Sequence, residues 1–587
     1  MSIISSRLVR AAVALAFLVA GPAASEPSDD LVGLWKAKAF GGEAVREIIV
    51  AKTGDRYVAD VGGGRVPMNL VDGEIRFALP SGLGEFRGTV GSKGDIEGHW
   101  IISPRRAGGD QRYASPATLA QGPAGQWRGE VRLPPDALTF YLPVTRSENG
   151  ALATYLRNPE RNLGRFIAVE RIERDGDRVR LLGRASPTGA ETTLAEGVFH
   201  PDSDMISLNF EGFDTTFDFV RTGTDDEPGF YPRGKSPAPY SYAPPPVLDD
   251  GWPTGTLAEA KIDEEAVERF IDELAAVPMD GIGASQVHAV LIARHGKLVL
   301  EEYFHGFDRT TAHDTRSAAK SLTAVLIGAA MRAGAPFNVT TRLVDAIDPA
   351  LFPEEIDPRL AATRVEHLLD MSAGFVCDDS DPSLPGHEDV MQEQAEELNW
   401  HRYALAVPMA RQSGEKAVYC SMKPHLLGAV LSFETGRWLP ELFRDLVAGP
   451  LDINRYHVNL TPTGDSYYGG GAYFEPRDFM KLGQLVLNEG TWKGRRILSR
   501  DYVRNMIATQ TKIGERQYGW LWWITEYPYA EGTVRAVFAG GNGGQIVMAI
   551  PELDLVIAFY GGSYSDRALL IPQNVYVPER ILPAVAH

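Results

Sequence analysis

Ser317 and Lys320 are the residues of this 587-residue chain whose types and spacing most directly suggest chemistry. Three positions apart, they share one face if the backbone is helical there, so a hydroxyl and an amine can meet. A hydroxyl beside an amine that burial partly deprotonates can become a nucleophile. The pair lies in His313-Asp314-Thr315-Arg316-Ser317-Ala318-Ala319-Lys320-Ser321, which reads as the first turn of a helix. Leu322 to Met331 continues it and is apolar on every side, so protein must enclose the helix. The same spacing recurs at Ser413 and Lys416, but in a polar turn with Gly414 and no apolar run behind it. Nothing there would bury or orient the pair.

Around this stretch the sequence predicts an α+β domain over residues 253–587. Ile262 to Leu274 has the period of an amphipathic helix. Val287 to Arg294 and Leu298 to Tyr303 form two strands about the turn His295-Gly296-Lys297. Thr363-Arg364-Val365-Glu366 reads as a capping box, with Gly374 as the C-terminal cap of the helix it opens. Pro476 and Gly490 bracket another helix, and Ile546 to Ile550 and Leu555 to Tyr560 are late strands. Strands at both ends with helices between imply termini that meet in one sheet.

Residues 26–223 are β-rich. Arg46 to Lys52 and Arg56 to Val61 flank the turn Thr53-Gly54-Asp55, and Asp175-Gly176-Asp177 joins two alternating stretches. Gly33-Leu34-Trp35 and Gly125-Gln126-Trp127 open two stretches alike, which suggests two related β-units forming a barrel or sandwich, with the tryptophans as core. Residues 224–252 are dense in proline and read as an extended linker.

With these markers placed, residues 253–587 resemble the serine β-lactamase/penicillin-recognising superfamily, in its class C-like branch of esterases and aminohexanoate-dimer (nylon-oligomer) hydrolases. The matching pieces are Ser317-Ala318-Ala319-Lys320-Ser321, Leu368-Leu369-Asp370-Met371-Ser372-Ala373-Gly374, Tyr419-Cys420-Ser421, and Gly541-Asn542-Gly543-Gly544-Gln545. The resemblance implies an antiparallel sheet flanked by helices plus a helical subdomain, preceded here by the β-rich region it does not cover. It implies that Ser317 attacks an acyl carbonyl and that Lys320 and Tyr419 share the general base and acid work. Ser421 would bond Lys320 or substrate, and backbone N–H groups of Ser317 and of the strand near Asn542 and Gly543 would form the oxyanion hole. Of the rings in Tyr518-Gly519-Trp520-Leu521-Trp522-Trp523, strand alternation allows one or two to touch substrate, and Trp520 is the one expected there. Neither Lys-Thr-Gly nor His-Thr-Gly stands on the late strand, which speaks against β-lactam or D-Ala-D-Ala turnover but leaves ester and amide hydrolysis intact.

The bulk numbers set the remaining bounds. A hydrophobic fraction of 44% with 23% charged residues is globular composition, and a net charge of −19 repels nucleic acid and anionic membranes. Arg7 and Arg10, the apolar run Ala11 to Ala20 and the small residues near Ala24 have the layout of a signal peptide over residues 1–25. That run is too short to span a bilayer, so the expectation is an exported, periplasmic or secreted protein with no membrane span in its mature form. Cys377 and Cys420 would then meet an oxidising compartment; whether they bond is left open, and a bond would close a loop worth about 4 kcal/mol. The acids Asp378, Asp379, Asp381, Glu388 and Asp389 read as a solvated loop, since their spacing does not fit a calcium loop. The sequence reading is therefore a serine hydrolase for a small ester or amide, with no metal or cofactor. Its rivals are a binding module with a retired site and a penicillin-sensitive peptidase or β-lactamase.

Overall fold

The computed structural model describes residues 29–586 apart from 40–44, 54–55, 72, 103–111, 136, 185–188, 214 and 224–226; residues 1–25, expected from the sequence to be a signal peptide, lie outside the described residues. The first strand, Gly33–Ala39, does not pair with its sequence neighbours. It closes an eight-stranded barrel with strands from Leu138–Arg146 to Thr216–Arg221, pairing Trp35 with Leu142 on one side and with Arg221 on the other. Trp35, Phe140, Phe217 and Phe219 fill the interior, where alternate side chains of every strand point.

The strands between Val45 and Arg132 are inserted after that first barrel strand and form a second unit. Trp127–Arg132 pairs with both Val45–Thr53 and Arg112–Gln121, so these strands also come round on themselves. The two similar glycine–tryptophan stretches are thus not the heads of consecutive units: Trp35 belongs to the outer barrel, whereas Trp127 opens the last strand of the insert. Sequence alternation marks a strand but cannot name its partner, because pairing is a long-range choice.

The inserted unit is joined to the downstream part by a sheet ladder. Arg112–Gln121 pairs antiparallel with Tyr456–Leu460, matching Ala114 to Val458. The proline-rich segment is a packed strap. The Tyr240 N–H donates to Asp272 (2.7 Å), the Tyr242 hydroxyl to the Val299 carbonyl (2.8 Å), and the Trp252 indole to the Arg477 carbonyl (2.9 Å).

Downstream, eight antiparallel strands run in the order Lys297–Tyr303, Val287–Arg294, Leu555–Gly561, Gln545–Ile550, Gly532–Gly541, Trp523–Tyr529, Arg516–Tyr518 and Thr511–Ile513. Arg294 pairs with Leu555, so the early hairpin and the late strands share one sheet. The helix Glu264–Ala275, capped by Asp263 accepting from the Ala266 N–H, covers one face with the C-terminal segment. The helices Ala319–Arg332, Met422–Thr435 and Pro476–Leu487 cover the other. Every residue from Ala319 to Ala330 is buried, which explains why that helix has no polar face. No helix of the described residues is long and apolar enough to cross a membrane.

Two local expectations fail for identifiable reasons. The helix Val365–Leu369 is capped by His367, whose ring accepts from the Arg364 N–H, while Thr363 bonds Arg359 and Ser413 instead. Its end is turned by Met371 at φ +66°, three residues before Gly374. Likewise His313–Asp314 is a short strand paired with Tyr473–Phe474, not a helical turn, because Arg316 at φ +48° breaks the chain direction just before Ser317.

Candidate active site

Ser317 stands in the 3-10 turn Arg316–Ala318 that feeds the Ala319–Arg332 helix. The left-handed Arg316 costs of order 1–3 kcal/mol, and several contacts hold it. Its N–H donates to Asp314 (2.9 Å), its guanidinium pairs with the same carboxylate (3.0 Å), and the Tyr564 ring lies 5.0 Å beneath it. The strand Gly532–Gly541 ends against this turn so closely that a Cβ on Gly541 would sit 2.4 Å from the Thr315 carbonyl oxygen and 3.2 Å from the Ser317 nitrogen. Only glycine permits that approach.

Lys320 is 1% exposed, and its Nζ donates to Ser317 Oγ at 2.9 Å and to the Gly469 carbonyl. The same Nζ lies 5.0 Å from the centre of the Tyr419 ring. The serine, amine and phenol expected from the sequence therefore share one place. The charge state differs from the expectation. Burial alone pushes the Lys320 amine down, but the Tyr419 oxygen, Glu388 and Asp379 together push it above the ordinary lysine value. That direction favours its ammonium form. A charged lysine can orient Ser317 and stabilise negative charge beside it, but it cannot take the serine proton.

Cys377 and Cys420 are bonded, with Cα atoms 5.9 Å apart. The disulfide pulls the acidic loop onto the Tyr419 segment and changes the part assigned to Ser421. Its hydroxyl donates to Asp379 Oδ2 (2.6 Å), as does its N–H (2.8 Å), so Ser421 faces Asp379 and not Lys320. Asp379 is correspondingly only partly exposed, with Oδ1 buried: burial raises its carboxyl, while Lys320 lowers it in part.

A cleft of about 250 Å³ opens above Ser317, walled by Tyr419, Trp523, Phe538, Gly541, Asn542 and Arg516 among others. Trp523, not Trp520, is its tryptophan. The Trp523 ring stacks on Tyr419 at 5.5 Å and 22°, whereas Trp520 is 6% exposed and packs against Tyr502 at 5.2 Å in the core. Alternation misplaces the ring because Leu521 adopts φ +57°; its N–H donates to Leu369 and its carbonyl accepts from Ser321 Oγ, and the strand begins only at Trp523. Asn542 lines the cleft and its Oδ1 accepts from the Ser565 N–H (2.8 Å). Gly543, at φ +95°, lies outside the cleft wall; it pairs with Ser563, and a Cβ on it would meet the Tyr564 ring at 2.6 Å. Sequence reasoning named the stretches that hold Gly541, Trp523 and Asp379 without assigning these residues to the site, and it did not single out Arg516.

The outer barrel braces the far wall. Asn162, itself buried, donates to the Tyr564 carbonyl (2.9 Å) and Arg165 pairs with Asp566 (3.0 Å), holding the loop that leads to Leu569 and Leu570 of the cleft. Among the described residues, no group of three or more His, Cys, Asp or Glu side chains is arranged to hold a metal ion.

A family model described as Beta-lactamase matches residues 269–563, half of the chain, including Ser317, Lys320, Tyr419 and the strand Gly532–Gly541. The chain belongs to the beta-lactamase family. It is 25% identical to the 6-aminohexanoate-dimer hydrolase of Paenarthrobacter ureafaciens over a 299-residue alignment covering 46% of this chain and 71% of that one. Among solved structures it is similar to EstCE1, a hydrolase with promiscuous acyltransferase activity (18% identity, TM-score 0.40, covering 56% of this chain and 98% of that one). It is also similar to a penicillin binding protein from Bacillus halodurans (17% identity, TM-score 0.38, covering 49% and 94%). This beta-lactamase-family protein is a serine hydrolase, with a β-rich region ahead of the family fold.

Proposed function

We propose that this hydrolase cleaves small esters or amides through an acyl-enzyme on Ser317. The observation that carries the reading is the 2.9 Å bond from Lys320 to Ser317 Oγ with the Tyr419 ring beside the same amine, at the floor of an open cleft. In the first step Ser317 Oγ bonds to the acyl carbon as its proton passes to Tyr419, which takes it up as the phenolate paired with the Lys320 ammonium. The carbonyl electrons collect on oxygen between the Ser317 N–H and the strand edge at Gly541 and Asn542. Collapse breaks the bond to the leaving group, which takes the proton back from Tyr419. Water then repeats the sequence and frees the acid. Lys320 stays charged throughout and stabilises the negative charge that builds beside it.

The substrate class follows from the walls. Trp523, Phe538, Ile546, Leu569 and Leu570 are apolar, and Arg516 is the one formally charged side chain among the described residues that line the cleft. The late strand carries neither Lys-Thr-Gly nor His-Thr-Gly, which disfavours β-lactams. The three-part N-terminus and the bonded cysteine pair support export to an oxidising compartment. Replacing Ser317 tests the reading. Ser317→Ala should lose both turnover of 4-nitrophenyl butyrate and labelling by a fluorophosphonate, with its melting transition intact. A variant that still labels and hydrolyses would overturn it.

A further inference from the structure

The loop from Cys377 to Glu388 wraps the Tyr419 segment residue by residue. The Asp379 N–H donates to the Tyr419 carbonyl at 3.0 Å. Cys420 is bonded to Cys377, and the Ser421 N–H and hydroxyl both reach Asp379 Oδ2. Three consecutive residues are thereby tied to one short stretch of loop. The loop then doubles back on the disulfide: Gly386 lies so near that a Cβ on it would be 2.3 Å from the Cys377 Cβ, and its carbonyl oxygen lies 3.5 Å from the bonded Cys420 Sγ. Asp379 Oδ1 is buried and makes no hydrogen bond among the described residues. A carboxylate with one oxygen spent on Ser421 and the other held dry and unbonded acts on its surroundings through charge.

We propose that Asp379 is a positioning residue for the Ser317–Lys320–Tyr419 site, fixing Tyr419 and Ser421 through its N–H and Oδ2 and setting its charge against Lys320. This rests on the acyl-enzyme reading above. The groups that face Lys320 are Tyr419, Glu388 and Asp379, all of which favour its charged form. Asp379 in turn faces Lys320, Glu388 and Ser421, and its field also reaches Lys423 and Tyr467. Glu388 is anchored by the Tyr467 hydroxyl at 2.6 Å. With its two carboxylates in place, Lys320 remains an ammonium and the serine proton has Tyr419 as its acceptor. Without Asp379, the amine loses its proton at lower pH and the charge that orients Ser317 goes with it.

The test is the pH dependence of kcat/KM for 4-nitrophenyl butyrate in the full chain, comparing wild type with Asp379→Asn and Asp379→Glu. Wild type should hold its activity well into the alkaline range, and Asp379→Asn should lose it about one pH unit lower than wild type, the shift expected of one nearby charge. Asp379→Glu keeps the charge but not the reach, so it should restore the position of the alkaline limb while kcat stays depressed. A purely structural Asp379 would lower kcat in both variants and leave the limb where it was, which would overturn the inference. If Asp379→Asn does not fold, Glu388→Gln removes the second carboxylate and should move the same limb the same way; an unmoved limb there would overturn it equally. Fluorophosphonate labelling of wild type at Ser317 separates the two claims. An unlabelled wild type sinks the acyl-enzyme reading itself, whereas a labelled one with unmoved limbs sinks only the role of Asp379.

Discussion

Lys423 offers a pH-dependent measure of how tightly the tyrosine segment is built. It lies on the helix Met422–Thr435 one turn past Tyr419, is wholly enclosed, and donates to the Met371 carbonyl (2.8 Å) and the Val418 carbonyl (2.7 Å). Two acceptors match the two N–H groups of a neutral amine. Burial, followed by the charge of Arg411, lowers this lysine from 10.5 to about 7, while Asp370, Asp379 and Asp378 oppose the fall. At about 1.36 kcal/mol per pH unit, that interval is worth about 5 kcal/mol. The sign follows from proton counts. As pH falls from 10.5 toward 7 the unfolded chain protonates this lysine and the native one does not, so stability declines through that window and the full penalty is present below it. Lys423→Met removes the charge at similar length and leaves two buried carbonyls unbonded, a cost of about 1–3 kcal/mol each that does not depend on pH. The variant should thus be clearly weaker than wild type near pH 10, and the gap should close or reverse by about 5 kcal/mol on reaching pH 7. Urea unfolding followed by tryptophan fluorescence at pH 7, 8, 9 and 10, taken as wild type minus variant, isolates this one group. A difference that stays flat across the window would mean that the lysine is hydrated or charged inside the fold, and the reasoning would be wrong.

Three further outcomes are expected. Trp520→Ala should cost about 3–5 kcal/mol by emptying core volume yet leave substrate preference unchanged in the folded fraction. Trp523→Ala should cost less stability and instead raise KM for butyrate over acetate esters, because its ring lines the cleft and stacks on Tyr419; the opposite pattern in melting and steady-state assays would return Trp520 to the cleft. Gly541→Ala should abolish most of kcat, since its Cβ would press on the Thr315 carbonyl and the Ser317 nitrogen. A variant with near wild-type kcat would show that the strand edge does not shape the site.

What the sequence determined by itself is what short-range geometry fixes. The i, i+3 spacing of Ser317 and Lys320 puts both on one helical face, and the all-apolar run behind them requires enclosure, whatever the rest of the chain does. Local turn chemistry likewise marked the hairpin from Val287 to Tyr303 and the helix between Pro476 and Gly490. Charge and partnership were not legible, because both depend on groups far apart in the chain. Lys320 is buried as expected, but its charged form is favoured by Tyr419, Glu388 and Asp379, which arrive from 59 or more residues away. One left-handed residue, Leu521, exchanged Trp523 for Trp520 at the cleft, and another, Arg316, replaced a helical turn by a bent entry into Ser317. The partner of the strand Gly33–Ala39 lies about a hundred residues downstream, and only closure of the barrel selects it. Spacing along the chain decides which side chains can share a face; folding decides what stands opposite them, and the electrostatics of this site come from what stands opposite.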